Sequence, residues 1–224
     1  MPESLNLSLF FTLNRIRENS MMPHKNTEAY QAFLDSMNIG FDQWHDGTGY
    51  DLDALAQLAE PERASIEQLL IGKLANNGDW RDLEALASLG TPSAQQAIQE
   101  ARRHQQPGLR SYALQVSLEN LDPATLAEAD RLALEQEVIQ ALKAGNYELA
   151  EYLPSQPIKK ALLDALPGLD PVTRVNAAAF LMYLCGLTTE PFDWSLRPFF
   201  LRFGEEEPAE VQQAWEELRV RTGF

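Results

Sequence analysis

Apolar residues recur along this chain at intervals of three and four. Leu52, Leu55 and Leu58 step by three, and Ile66, Leu69, Leu70 and Leu74 step by three, one and four, which puts each set on one helix face. Asp51 to Leu58 and Arg63 to Leu74 are therefore predicted as amphipathic helices. The residues between such runs act as start and stop signals. Pro61 stands where a first helical turn tolerates a missing N–H, Asp79 precedes WRDLEALASL as a cap, and Gly90 follows it in the usual closing position. A capping residue near a proline recurs at Thr91, Asp122, Ser155 and Asp170, each opening a further helical run. An early helix, EAYQAFLDSM, is expected after a cap at Asn26 or Thr27. A last one, AEVQQAWEEL, follows Glu205, Glu206 and Glu207, whose charges suit the positive end of a helix dipole. No run of alternating β-branched residues is bounded by a two-residue Gly turn, so strand content is expected to be close to nil and the fold class all-α.

The helical segments repeat. GDWRDLEALASL from Gly78 is similar to GNYELAEYL from Gly145, an offset of 67, while Ala97, Ile98 and Ala101 match Ala161, Leu162 and Ala165 at an offset of 64, a difference expected to be a shorter loop. LRSYA from Leu109 matches TRVNA from Thr173, again at 64, so Arg110 and Arg174 each stand three residues before an alanine. A proline turn followed by this arginine and alanine resembles the second helix of a HEAT repeat. Gln106 to Ala113 carries the pattern, and so does Asp170 to Ala177, with Thr173 where an aliphatic residue belongs. The unit around Glu62-Arg63-Ala64 departs further. Over residues 51–185 the resemblance implies a short right-handed α-solenoid of HEAT-like helical hairpins, with alanines allowing close helix approach and the arginine tying neighbouring turns. A single HEAT-like domain is expected over 26–224. The five aromatics of FDWSLRPFFLRF, Phe192 to Phe203, are expected to cap it from about residue 190.

Longer phrases, DGTGYDLDALAQL, ERASIEQLL, DWRDLEALASLGTP and EPFDWSLRPFFLRFGEE, resemble small HEAT-like proteins of bacteria. Some of those look like immunity proteins of polymorphic or contact-delivered toxin systems. The implied function is that of a protein-interaction module, an inhibitor that binds and neutralises a cognate toxin. The alternatives are an adaptor or scaffold that binds a peptide or complex, and an enzyme similar to HEAT-like DNA glycosylases. The last would need a basic groove, and the densest cationic clusters are only Arg102-Arg103 and Lys159-Lys160.

Charge narrows the partner. Against 33 acidic side chains stand 18 basic ones, a net charge of -15 and a pI near 4.6. Such a surface repels phosphate backbones and anionic headgroups, so neither nucleic acid nor membrane is expected as a partner, whereas a basic protein such as a nuclease toxin fits. Leu5 to Leu13 is apolar, but its leader carries Glu3 and no cation, unlike a secretion signal, and it is too short to span a bilayer. Met21-Met22 marks the expected native start, which makes residues 1–25 a poorly ordered or non-native extension. The lone Cys185 leaves no intramolecular disulfide and points to a reducing, cytoplasmic setting. With three histidines besides, no Cys/His metal cluster and no cofactor is expected.

Candidate chemistry is sparse. His24, His45 and His104 lie in unrelated segments, Cys185 reads as packing, and no nucleophile elbow or phosphate loop is present, so the chain is not expected to be an enzyme. The segment Asp42 to Asp53 (DQWHDGTGYDLD) has Gly47 sixth and an acid twelfth, as a calcium loop does. Trp44, however, occupies the third position, where an oxygen ligand belongs, and Asp53 is shorter than the required Glu. On a purely structural reading, DGTG forms a turn, Asp51 caps a helix, and Trp44 and Tyr50 pack on its first turn. On the functional reading, the segment is a partner-binding patch. The residues expected to carry it are Asp42, Trp44, Asp46, Asp51 and Asp53, with Trp80 as a second aromatic anchor.

Overall fold

The computed structural model describes residues 27–121 and 126–224, and the regular structure in them is entirely helical. The extension 1–25 and the cap at Asp122 lie outside the described residues. Each short helix leaves its first N–H groups without an intrahelical partner, and the predicted caps supply one. Thr27 accepts from the backbone N–H of Tyr30, Asp51 from Ala54, Asp79 from Arg81, Thr91 from Ala94, Ser155 from Ile158, and Asp170 from both Val172 and Thr173. Gly90 closes its helix with φ +65°, the left-handed conformation that favours glycine.

The described residues fall into two compact units divided at Gln68 and Leu69. The first contains α1 (Glu28–Ser36), α2 (Phe41–His45), α3 (Leu52–Ala56) and the start of α4 (Glu60–Asn77). Phe33 is fully buried and meets Tyr50 edge-on at 5.9 Å, with Leu55, Leu58 and Ile66 completing a small core. Glu62 accepts from both the N–H and the hydroxyl of Thr27, at 2.7 and 2.9 Å, which ties α4 to the start of α1.

The second unit contains α5 (Trp80–Leu89), α6 (Pro92–Ala101), α7 (Pro107–Glu119), α8 (Glu128–Lys143), α9 (Gln156–Ala165), α10 (Pro171–Leu184), α11 (Arg197–Leu201) and α12 (Pro208–Thr222). Helices α5, α6 and α7 pack against one another, and so do a 3-10 turn at Tyr147–Glu151, α9 and α10. The two sets stand at the offsets seen in the sequence. Their first members differ because the second copy is three residues shorter, close to a full turn, and Pro154 stops it early. It also lacks a counterpart to the cap at Asp79, where Asp82 accepts in return from the Asp79 N–H at 2.9 Å; Asn146 makes no side-chain cap. The repeated arginines both bind carbonyls, in different places. Arg110 Nη1 donates to His104 O at 3.1 Å and Arg174 Nε to Phe203 O at 2.6 Å.

Helix α10 is the centre of the C-terminal part of this unit, with Ala177 to Met182 all buried. Phe199, Phe200 and Phe203 join the same core, and Trp215 Nε1 on α12 donates to Leu163 O at 2.8 Å. Of the C-terminal aromatics, Trp194 stays outside, 71% exposed. Cys185 is the C-cap of α10 and only half-buried; that burial pushes its thiol pKa up. Among the described residues no helix is long and apolar enough to cross a membrane.

Replacing Phe200 with Ala is expected to cost about 3–5 kcal/mol in urea unfolding, the usual cost of deleting a buried aromatic ring. Burial, reinforced by the carboxylate of Glu148, pushes the Tyr147 phenol up to about 12. A raised folded-state pKa favours the protonated form. Its stabilising contribution is therefore full below the ordinary phenol range and lost as pH climbs towards about 12. Alkaline absorbance titration of the wild type against Tyr147→Phe will show a phenol ionising near 12 disappear in the variant.

Candidate interaction surface

Residues 41–53 do not form one coordinating loop. Phe41–His45 is helical, which places Asp42 in a first helical turn instead of at the head of a calcium loop. None of the five residues of α2 is buried. A helix this short with no apolar face in the core depends on its ends. Gln43 Oε1 accepts from the Gly40 N–H at 3.1 Å, and at the other end the N–H of Asp46 reaches Asp42 O at 2.9 Å. Thr48 N–H then reaches Gln43 O at 2.9 Å across Gly47, whose φ of +66° is open to glycine at no steric cost. From there the chain turns inward. Asp51 N–H donates to Ser36 Oγ at 3.0 Å, and the Asp51 carboxylate caps α3 through the Ala54 N–H at 2.8 Å.

These bonds separate the candidate residues into two kinds. Asp51 and Tyr50 are structural, one as a cap and the other buried against Phe33. Asp42, Asp46 and Asp53 are exposed, and Trp44 is 63% exposed instead of packed on α3. Beside Trp44 stands a residue that sequence reasoning passed over: Phe41, 74% exposed, its ring 6.2 Å from those of both Trp44 and His45. Its signal was present, since positions 41, 44 and 45 are i, i+3 and i+4 on one helical face. The result is an aromatic pair in open water on a segment that carries Asp42 and Asp46, with Asp53 exposed on α3.

Trp80 belongs to the second unit and is already engaged. Its ring lies 5.8 Å from Tyr112 and under the buried Arg81 guanidinium at 4.6 Å, while Arg81 also pairs with Asp79 at 2.9 Å. Burial, with help from Glu84 and Glu119, holds the Tyr112 phenol above its ordinary range. Among the described residues, no group of three His, Cys, Asp or Glu side chains is arranged to hold a metal ion. His104 lies in the turn after α6, three residues beyond its end, and its Nδ1 accepts from the Gln106 N–H at 3.2 Å, a turn-forming role. No family model matches the chain, and no curated protein or solved structure matches it. The surface around Phe41 and Trp44 is therefore judged by its own chemistry. It offers two flat apolar faces and an excess of negative charge, and it presents no nucleophile with a base.

Trp44→Ala is expected to change unfolding free energy by less than about 0.5 kcal/mol, as for other exposed positions, whereas Asp51→Ala is expected to cost about 1 kcal/mol through the lost cap. Urea denaturation of the two variants side by side measures the contrast.

Proposed function

We propose that this protein is a protein-binding module that engages a basic partner through Phe41 and Trp44, with Asp42, Asp46 and Asp53 supplying charge complementarity. The single observation behind this reading is the exposed aromatic pair on a helix that contributes nothing to a core. Exposed aromatics of this size are costly to leave in water, and aromatic anchors inside a polar rim are the usual source of binding energy at interfaces. A net charge of -15 draws a cationic protein from a distance and rejects nucleic acid. The resemblance to bacterial HEAT-like immunity proteins gives the partner a class: a basic toxin, neutralised in the cytoplasm by occlusion, with no cofactor and no catalysis. The architecture that goes with this reading is a short right-handed α-solenoid of HEAT-like hairpins, supported by the two mutually packed three-element sets of the second unit.

The test starts in the native host. Affinity purification of the tagged chain is expected to retain a strongly basic protein whose expression alone arrests growth, with arrest relieved by co-expression of the wild-type chain. Phe41→Ala and Trp44→Ala should each weaken that complex by about 2–4 kcal/mol, roughly 30- to 1,000-fold in Kd, without changing thermal stability. Retention of the same proteins by the double variant, or growth arrest that the wild-type chain does not relieve, overturns the reading.

A further inference from the structure

Helix α7, in the second unit, carries a second feature of its own. Gly108, Ser111, Tyr112 and Gln115 follow at spacings of three, one and three, so they form one stripe along the helix. That stripe lines two cavities. The larger, about 500 Å³, lies against Gln136 and Gln140 of α8 and reaches Arg102 and Arg110. The smaller, about 260 Å³, lies against Glu148, Glu151 and Tyr152. Gly108, Ser111 and Asn146 line both, so the cavities adjoin as one groove. From residue 108 to 115 the helix rises about 10 Å, the length of roughly three extended residues.

The ends of the groove differ in charge. At one end Glu137 neutralises Arg102 through two bonds of 2.6 and 2.9 Å. Arg110 is pinned by its bond to His104 O and makes no ion pair among the described residues, so one positive charge is left over. At the other end Glu119 accepts from the Tyr152 hydroxyl at 2.8 Å and Glu151 from Tyr183 at 3.4 Å, and neither they nor Glu148 pair with a cation among the described residues. Between the ends, the exposed side chains of Gln136 and Gln140 make no hydrogen bond among the described residues, although each carries two donors and an acceptor. A side-chain amide offers what a peptide group needs on both sides.

We propose that this groove binds an extended segment of three or four residues of a protein partner. Its acidic side chain meets Arg110, its Lys or Arg meets Glu148 and Glu151, and its main chain bonds to the amides of Gln136, Gln140 and Asn146. A small anion would use the Arg110 end and leave the amides and carboxylates uncovered. A uniformly basic peptide would find no match at Arg110. The groove shares no residue with the Phe41 and Trp44 surface.

The probes are two capped tetrapeptides, Asp-Ala-Ala-Lys and Lys-Ala-Ala-Asp, which offer the same charges in both chain directions, with the all-alanine tetrapeptide and succinate as controls. In titrations of the isotope-labelled full chain followed by amide NMR, one charged peptide is expected to shift Ser111, Gln136, Gln140 and Asn146. It should bind roughly threefold to twentyfold tighter than either control, as two exposed ion pairs allow. Arg110→Glu should transfer preference to Lys-Ala-Ala-Lys, and Glu148→Lys should weaken the original peptide. Phe41→Ala with Trp44→Ala should leave peptide binding unchanged, so this site and the toxin-binding reading fail separately. Absence of shifts at millimolar peptide, equal binding of succinate, or an unaltered preference in Arg110→Glu overturns the proposal.

Discussion

In the C-terminal part of the larger unit the arrangement of the elements follows from one constraint, the enclosure of α10. Six consecutive residues, Ala177 to Met182, are buried, so no face of this stretch is left for water. A helix surrounded in this way needs small residues where neighbours come closest, and Ala177, Ala178 and Ala179 provide them, all at or near zero exposure. The 3-10 turn at Tyr147–Glu151, α9, α11 and α12 all pack on it, and Phe200 and Phe203 fill the remaining space. Interiors at this density tolerate added volume poorly. The C-terminal aromatics are thus divided by geometry: the rings that fit between α10 and α12 are core, and Trp194 is left at the surface beside Arg197.

The negative charge is divided in a similar way. Asp51, Asp79 and Asp170 are helix caps, Glu62 receives both bonds from Thr27, and Asp82 is buried beside Lys73 at 3.1 Å. Glu217 is held below the usual carboxylate range by hydrogen bonds from Arg202 and Arg221. These carboxylates have partners within the chain and contribute less to a visitor than their number suggests. Among the carboxylates left exposed are Asp42, Asp46 and Asp53 in the first unit, Asp46 beside His45 at 3.1 Å, and Glu148 with Glu151 at one end of the α7 groove.

Much of the fold was legible because helix ends are written in side chains. Thr27, Asp79, Gly90, Thr91, Ser155 and Asp170 announce their roles by type and neighbour, and the structure places them there. The change of offset reads in the sequence as a shorter loop but is a shorter element, Tyr147–Glu151 against Trp80–Leu89, because similarity of GNYELAEYL to a helical segment says nothing of the missing turn or the missing cap. The candidate surface was legible in part. DQWHDGTGYDLD drew attention for its acids, but whether an aromatic is an anchor or core depends largely on contacts distant in sequence. Tyr50 is buried because Phe33 awaits it, and Trp44 is exposed because α2 packs nothing against the core. Trp80 looked equivalent in sequence and is occupied by Tyr112 and Arg81.

The two proposed sites respond to different features of a partner. Net charge acts over about a Debye length, roughly 8 Å at physiological ionic strength, so the acidic surface of the first unit senses a basic protein before contact. The aromatic pair acts only on contact, where flat faces exclude water and determine how long the complex lasts. The groove along α7 works the other way. Its surplus cation and its carboxylates lie at opposite ends, and only a chain already lying along Gly108 to Gln115 feels their order. Long-range attraction therefore cannot make the groove selective; the order of charges can, and it distinguishes segments of equal net charge that the first surface would treat alike.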